Sequence, residues 1–222
     1  PGFGRSPLPD RWGETVGELV DRLLRFSDRW KGEKVVLVGS SMGGGLGLAL
    51  TVAAPDRFDR IVLLNPYAGP SVPAAVAAAK RPVIAALIPL LSGWPLRSML
   101  IRTVFSRSLY DRRHLTKEYV EELGRALRSF SRRRGMVRFL RQVDPKVIKE
   151  LERHLPNVRQ EVLLFWGEDD RWLPADGAGR LQARLTLCRR INFSGCGHLP
   201  QLERPEEIAG AIRGILRGAH SP

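Results

Sequence analysis

Val35-Val36-Leu37-Val38-Gly39-Ser40-Ser41-Met42-Gly43 carries a strand-like apolar run into a helix-like one, Leu46 to Ala54, through a single sharp turn. A serine in that setting is forced outward, where it can serve as a nucleophile. Such a turn needs small residues two before and two after the serine, because side chains there would meet the neighbouring strand or the helix start. Gly39 and Gly43 meet that requirement.

Outward from this turn, short runs rich in Val, Leu and Ile recur at Lys34 to Gly39, Ile61 to Asn65 and Glu161 to Gly167, with a weaker one at Thr186 to Phe193. Continuous apolar runs of this length suit parallel strands covered on both faces. Helical patterns alternate with them. Trp12, Val16, Leu19, Val20, Leu23 and Trp30 give an amphipathic helix from about residue 12 to 31. Met42 to Ala54 is stopped by Pro55, a further helix lies near Ala175 to Arg184, and Pro205-Glu206-Glu207 opens a last one ending at Leu216. The fold class is therefore α/β, a mostly parallel sheet with flanking helices.

One long block breaks the alternation. Residues 66–160 hold only helical patterns, such as Tyr119, Val120, Leu123, Leu127 and Phe130, and read as a helical insertion between a first core part, 1–65, and a second, 161–222. The insertion carries 19 Lys plus Arg against 7 Asp plus Glu, and the remainder 17 against 16, so nearly all of the net +13 lies in it. Its first part is apolar, with Val83, Ile84, Leu87, Ile88, Leu90, Leu91, Trp94, Leu96, Met99, Leu100, Ile101, Val104 and Phe105. Those residues either pack on the body or line an apolar pocket over the serine. A basic face beside apolar helices suits peripheral contact with an anionic membrane, and a solvated arginine surface is the other reading. Nucleic acid is disfavoured, since no aromatic platform or binding motif accompanies the arginines.

With 222 residues and 43% hydrophobic content the chain can bury one sizeable core. Its longest apolar stretch, Pro82 to Leu91, is broken by Pro89 and falls short of the roughly 20 residues that cross a bilayer. Cys188 and Cys196 read as free thiols rather than a disulfide framework.

A serine hydroxyl needs a base, and the base an acid partner to hold its tautomer. Of four histidines, His114 and His154 lie in the insertion and His220 in a Gly, Ala, Ser and Pro tail. His198 instead follows the last strand in Ser194-Gly195-Cys196-Gly197-His198. Loops at the carboxyl ends of parallel strands are where α/β sites assemble. The acid is sought at another such end, in Gly167-Glu168-Asp169-Asp170-Arg171-Trp172-Leu173-Pro174. Asp170 is the choice and Asp169 the runner-up, with helix capping the bland alternative for Glu168 and Asp169. The strand ending at Asn65 offers no carboxylate.

The order Ser41, Asp170, His198 resembles that of the α/β-hydrolase superfamily, and the likeness extends over almost the whole chain outside the insertion. Pro1-Gly2-Phe3-Gly4-Arg5-Ser6 looks like the segment after that family's fourth strand, Val36 to Gly44 like its nucleophile elbow, and Pro55-Asp56-Arg57-Phe58 like the turn before its sixth strand. Gly167 to Pro174 looks like its acid loop, and Gly197-His198 with Glu203-Arg204-Pro205 like its histidine loop and final helix. The resemblance implies a serine nucleophile, a helical cap after the sixth strand, hydrolysis through an acyl-enzyme, and no cofactor or metal. Position 41 is serine, so the family's haloalkane dehalogenases and epoxide hydrolases match poorly.

The resemblance also implies an oxyanion hole made by the Met42 N–H and a second N–H from a loop after the third strand, which has no counterpart in this sequence. Pro1 is then expected to begin a fragment lacking the N-terminal strands, with about 60 to 80 residues upstream, and Lys34 to Gly39 becomes an apolar sheet edge. The expected activity is hydrolysis of a carboxylic ester or thioester with an apolar acyl or aromatic group. Carbon–carbon bond hydrolysis by the same triad is a close variant. A non-catalytic hydrolase-like binding domain, using the basic insertion as its surface, is the reading from another class.

Overall fold

A computed structural model describes residues 15–69, 74–91, 96–173 and 176–216. The segment Pro1 to Ser6, and Trp12, Trp94, Pro174 and His220, lie outside the described residues. Four strands, β1 (Val36–Ser40), β2 (Arg60–Leu64), β3 (Glu161–Gly167) and β4 (Cys188–Phe193), form one parallel sheet in the order β1-β2-β3-β4. Ser40 pairs with Leu64, and Leu64 with Phe165, so β1 and β2 finish level, while β3 and β4 run two residues further to the paired Gly167 and Phe193.

The residues of β2 and β3 alternate between two cores because successive side chains of a strand point to opposite faces. On one face Ile61, Leu63, Val162, Leu164 and Trp166 pack with Leu48 of α2 (Met42–Ala53) and Leu181 of α9 (Asp176–Arg184). On the other, Val62, Leu64, Leu163 and Phe165 meet Ile208 of α11 (Pro205–Leu216). Each side chain buried this completely stabilises the fold by roughly 1.5–3 kcal/mol. Covering both faces explains why these strands read as unbroken apolar runs.

The first helix, α1 (Val16–Ser27), begins later than its periodicity suggests. Thr15 and Glu18 form a capping box there, each side chain bonding the other's backbone N–H. Val20 of α1 packs on Leu50 of α2 and on Phe58. Val38 of β1 is half exposed, on a strand with one neighbour among the described residues.

Between β2 and β3 the described residues are helical and contain no strand. The helices are α3 (Ala74–Lys80), α4 (Pro82–Leu91), α5 (Leu96–Phe105), α6 (Lys117–Ala126), α7 (Phe130–Gln142) and α8 (Pro145–His154). Two small cores organise them. Ala79, Ala85 and Val137 join α3, α4 and α7, while Ile101, Leu109, Leu115 and Val120 join α5 and α6 to Leu199, just before α10 (Pro200–Glu203). The apolar first part is only partly absorbed, since Val83, Leu87, Leu90, Leu96, Met99 and Val104 remain exposed.

Candidate active site

Ser41 stands at the joint of β1 and α2 with φ 51° and ψ −120°, backbone angles that side chains resist. Four hydrogen bonds hold it there. The Ser41 carbonyl accepts from the N–H groups of Gly44 (3.0 Å), Gly45 (3.2 Å) and Tyr67 (2.8 Å), and the Ser41 N–H donates to Leu64 O (2.9 Å). The close approach that the turn demands is at Gly39, where a Cβ would lie 2.6 Å from Gly43 O and 2.7 Å from Gly44 Cα.

The expected crowding at Gly43 is absent, for a Cβ there would meet nothing within 4 Å. It falls instead on Gly44, against Pro66, and Gly45, against the Tyr67 carbonyl. The reason is helical geometry. α2 starts at Met42, so positions 44 and 45 have turned toward the chain leaving β2, while Gly43 is exposed.

His198 arrives from the loop after β4. Its Nε2 lies 2.8 Å from Ser41 Oγ and its Nδ1 2.7 Å from Asp170 Oδ2. Both side chains are shut from water, at 4% exposure for His198 and 0% for Asp170. With Asp170 as a carboxylate, Nδ1 holds the proton and Nε2 is free to accept one from the serine. Trp172 stacks on the imidazole, with centroids 5.3 Å apart and planes at 17°, and Phe105 lies beyond it at 6.2 Å.

Asp170 is held from several sides. Its Oδ1 accepts from the N–H groups of Trp172 (2.7 Å) and Leu173 (3.0 Å), and its Oδ2 from the Asn65 side-chain amide (2.6 Å). The neighbouring acids do other work. Asp169 accepts from Gly195 N–H (2.9 Å) and Glu168 from the Asn192 amide (3.2 Å), so both tie the acid loop to β4 and its histidine loop rather than capping a helix. His114 and His154 have no part in this cluster. His154 pairs with Glu150.

Two participants escape a reading of residue types alone. Asn65, fully buried at the end of β2 with φ 41°, donates to Asp170 and accepts from Gly167 N–H at 3.1 Å. Its signal is a polar residue ending an apolar strand, because a buried amide must find partners. Glu203, 5% exposed, accepts from Gly197 N–H (2.7 Å) and Asp111 N–H (2.8 Å), pinning the histidine loop to residues just before α6. The His198 N–H donates to Ser108 O at 2.6 Å in the same region.

Met42, first residue of α2, has an N–H with no acceptor inside the helix, beside Ser41. Its side chain lines an apolar hollow of about 70 Å³ with Leu46, Tyr67, Phe139 and Ile148. Cys188 and Cys196 are free thiols, and burial pushes them up to about 11 and about 12. Among the described residues, no group of His, Cys, Asp or Glu is gathered to hold a metal ion.

The family model described as "Alpha/beta hydrolase family" matches residues 1–211. The chain belongs to the alpha/beta hydrolase family. This alpha/beta hydrolase is 28% identical to "Uncharacterized hydrolase YugF" of Bacillus subtilis, over 98% of this chain and 78% of that one. It is 29% identical to a 2-hydroxy-6-oxononadienedioate/2-hydroxy-6-oxononatrienedioate hydrolase of Cupriavidus pinatubonensis, over 91% and 69% of the two chains. Among solved structures it resembles the 2-hydroxy-6-oxo-6-phenylhexa-2,4-dienoate hydrolase of a Rhodococcus strain. The TM-score is 0.77 at 26% identity, covering 97% of this chain and 77% of that one.

Proposed function

We propose that this alpha/beta hydrolase cleaves a carboxylic ester or thioester through an acyl-enzyme on Ser41. His198 acts as base and then acid, and Asp170 holds the imidazole tautomer and stabilises its positive form. The observation that carries the reading is the unbroken chain from Ser41 Oγ through His198 to Asp170, at 2.8 Å and 2.7 Å.

In the first step Oγ attacks the carbonyl carbon as Nε2 takes its proton, and the Met42 N–H donates to the developing oxyanion. The imidazolium then protonates the leaving alkoxide or thiolate. Water, deprotonated by the same nitrogen, releases the acid. The insertion serves as a cap, and its apolar residues with the hollow beside Met42 favour a lipophilic small-molecule substrate.

A second reading, carbon–carbon hydrolysis of a dienoate ketone, is favoured by the activity named for relatives such as the Cupriavidus enzyme. It needs a proton delivered to a carbon leaving group, which asks more of the site than an ester does.

Fluorophosphonate labelling of the full chain beside Ser41→Ala tests the nucleophile. Wild type should label and the variant should not, and absence of labelling in both would leave a binding domain. Comparing kcat/KM on p-nitrophenyl esters, acyl thioesters and 2-hydroxy-6-oxodienoates then separates the two reactions.

A further inference from the structure

α4 and α7 lie against one another and share the small core of Ala79, Ala85 and Val137. Away from that core, Val83, Leu87 and Leu90 of α4 are 69%, 43% and 62% exposed. Their spacing of four and three residues sets them on one face of the helix. α7 repeats the spacing with Arg134, Arg138 and Arg141, all exposed. Between the helices runs a groove of about 370 Å³, with Ala85, Pro89 and Val137 in its lining and those three arginines along it. Phe130 stands beside it, with the Arg133 and Arg134 guanidinium carbons 5.8 Å and 5.9 Å from its ring centroid.

No carboxylate in these helices balances the arginines. Residues 66–110 and 123–143, which carry α3, α4, α5 and α7, hold no Asp or Glu and twelve Lys plus Arg. Isolated exposed apolar side chains are ordinary on a protein surface. A row of three on α4 and a row of three arginines on α7, the helix packed against it, with no acid in either, has the character of an interfacial amphipathic surface.

We propose that the α4–α7 face docks on an anionic phospholipid bilayer. Val83, Leu87 and Leu90 enter the boundary between head groups and acyl chains, and Arg134, Arg138 and Arg141 meet lipid phosphates and carboxylates. Charge and apolarity together select this occupant. A nucleic acid would engage the arginines and leave the aliphatic row in water, and a second copy of the chain would bring the same positive face. Of these three occupants, only a lipid surface satisfies both rows. The docking goes beyond the hydrolytic reading and does not rest on it.

Vesicle flotation of the full chain tests the proposal, using phosphatidylcholine alone and phosphatidylcholine with about one third phosphatidylserine. The chain should float only with the anionic vesicles, and less as salt is raised. R134Q/R138Q/R141Q should lower partitioning about a hundredfold, and L87Q/L90Q about tenfold. R29Q/K31Q/K34Q removes equal charge elsewhere and should leave partitioning within about twofold. Circular dichroism melts matching wild type show that each variant is folded. Equal binding to neutral vesicles, no binding to anionic ones, or equal losses from the two charge triplets would overturn the proposal. So would tighter binding to polyuridine than to the anionic vesicles.

Discussion

The Asn65 side-chain amide donates to Asp170 Oδ2 at 2.6 Å, the same oxygen that faces His198 Nδ1 at 2.7 Å. Its other arm accepts from Gly167 N–H, so a neutral residue at the end of β2 orients the carboxylate in the loop after β3. A hydrogen bond to a charged group is worth about 1.5–3 kcal/mol.

Asn65→Ala should therefore lower kcat/KM on an activated ester by about 10- to 100-fold, with Ser41 labelling slowed to match. Asp170→Asn, which leaves the shape but removes the charge, should cost about 10⁴-fold. If Asn65→Ala lowers the melting temperature while turnover and labelling stay at wild-type rates, the amide supports the fold alone.

Two glycines two residues either side of Ser41 should behave oppositely. Gly39→Ala drives a methyl into the backbone of Gly43 and Gly44, and should cost about 3 kcal/mol or leave the chain unfolded. Gly43→Ala adds a methyl to open space inside a helix and should stabilise by roughly 0.5–1 kcal/mol. Urea denaturation midpoints for the pair decide it.

Glu203→Gln replaces one acceptor oxygen with an amide donor that must face either Gly197 N–H or Asp111 N–H. The expected loss is about 1–3 kcal/mol of stability, with a fall in kcat because the histidine loop loosens. Thermal melts with single-turnover acylation rates check both halves.

Burial raises Cys188 from the thiol's ordinary 9.0 to about 11 and Cys196 to about 12. Between pH 9 and these values the unfolded chain has lost thiol protons that the folded chain keeps. The unfolded state binds fewer protons there, so the thiols' contribution to stability is whole below pH 9 and declines as pH rises through that window. Denaturation midpoints measured across it should fall for wild type and fall less for Cys196→Ala. At neutral pH, iodoacetamide should modify the native thiols far more slowly than the unfolded ones.

The sheet was legible because β2 and β3 are buried on both faces, and only apolar residues satisfy that. Ser41, Asp170 and His198 could be nominated because each follows a strand at its carboxyl end, where side chains of one sheet converge. Asn65 occupies such an end too, yet a search for ionisable groups passes over it, since an amide acts here through geometry rather than charge. Gly43 misled for a related reason, as the motif names positions while the side that faces a neighbour depends on where the helix starts. Apolar spacing along α4 announces a helix without saying which of its sides is covered, so the exposure of Val83, Leu87 and Leu90 emerges only with the packing of α7.

The bonds from His198 N–H to Ser108 O and from Asp111 N–H to Glu203 make the stretch 108–111 a brace for His198 and its loop. An engineer who wished to transplant a foreign lid onto this body would therefore find that the seam does not run along β2 and β3. It runs inside the insertion, and residues 108–111 must travel with the recipient, or the graft will carry away the floor beneath its own histidine.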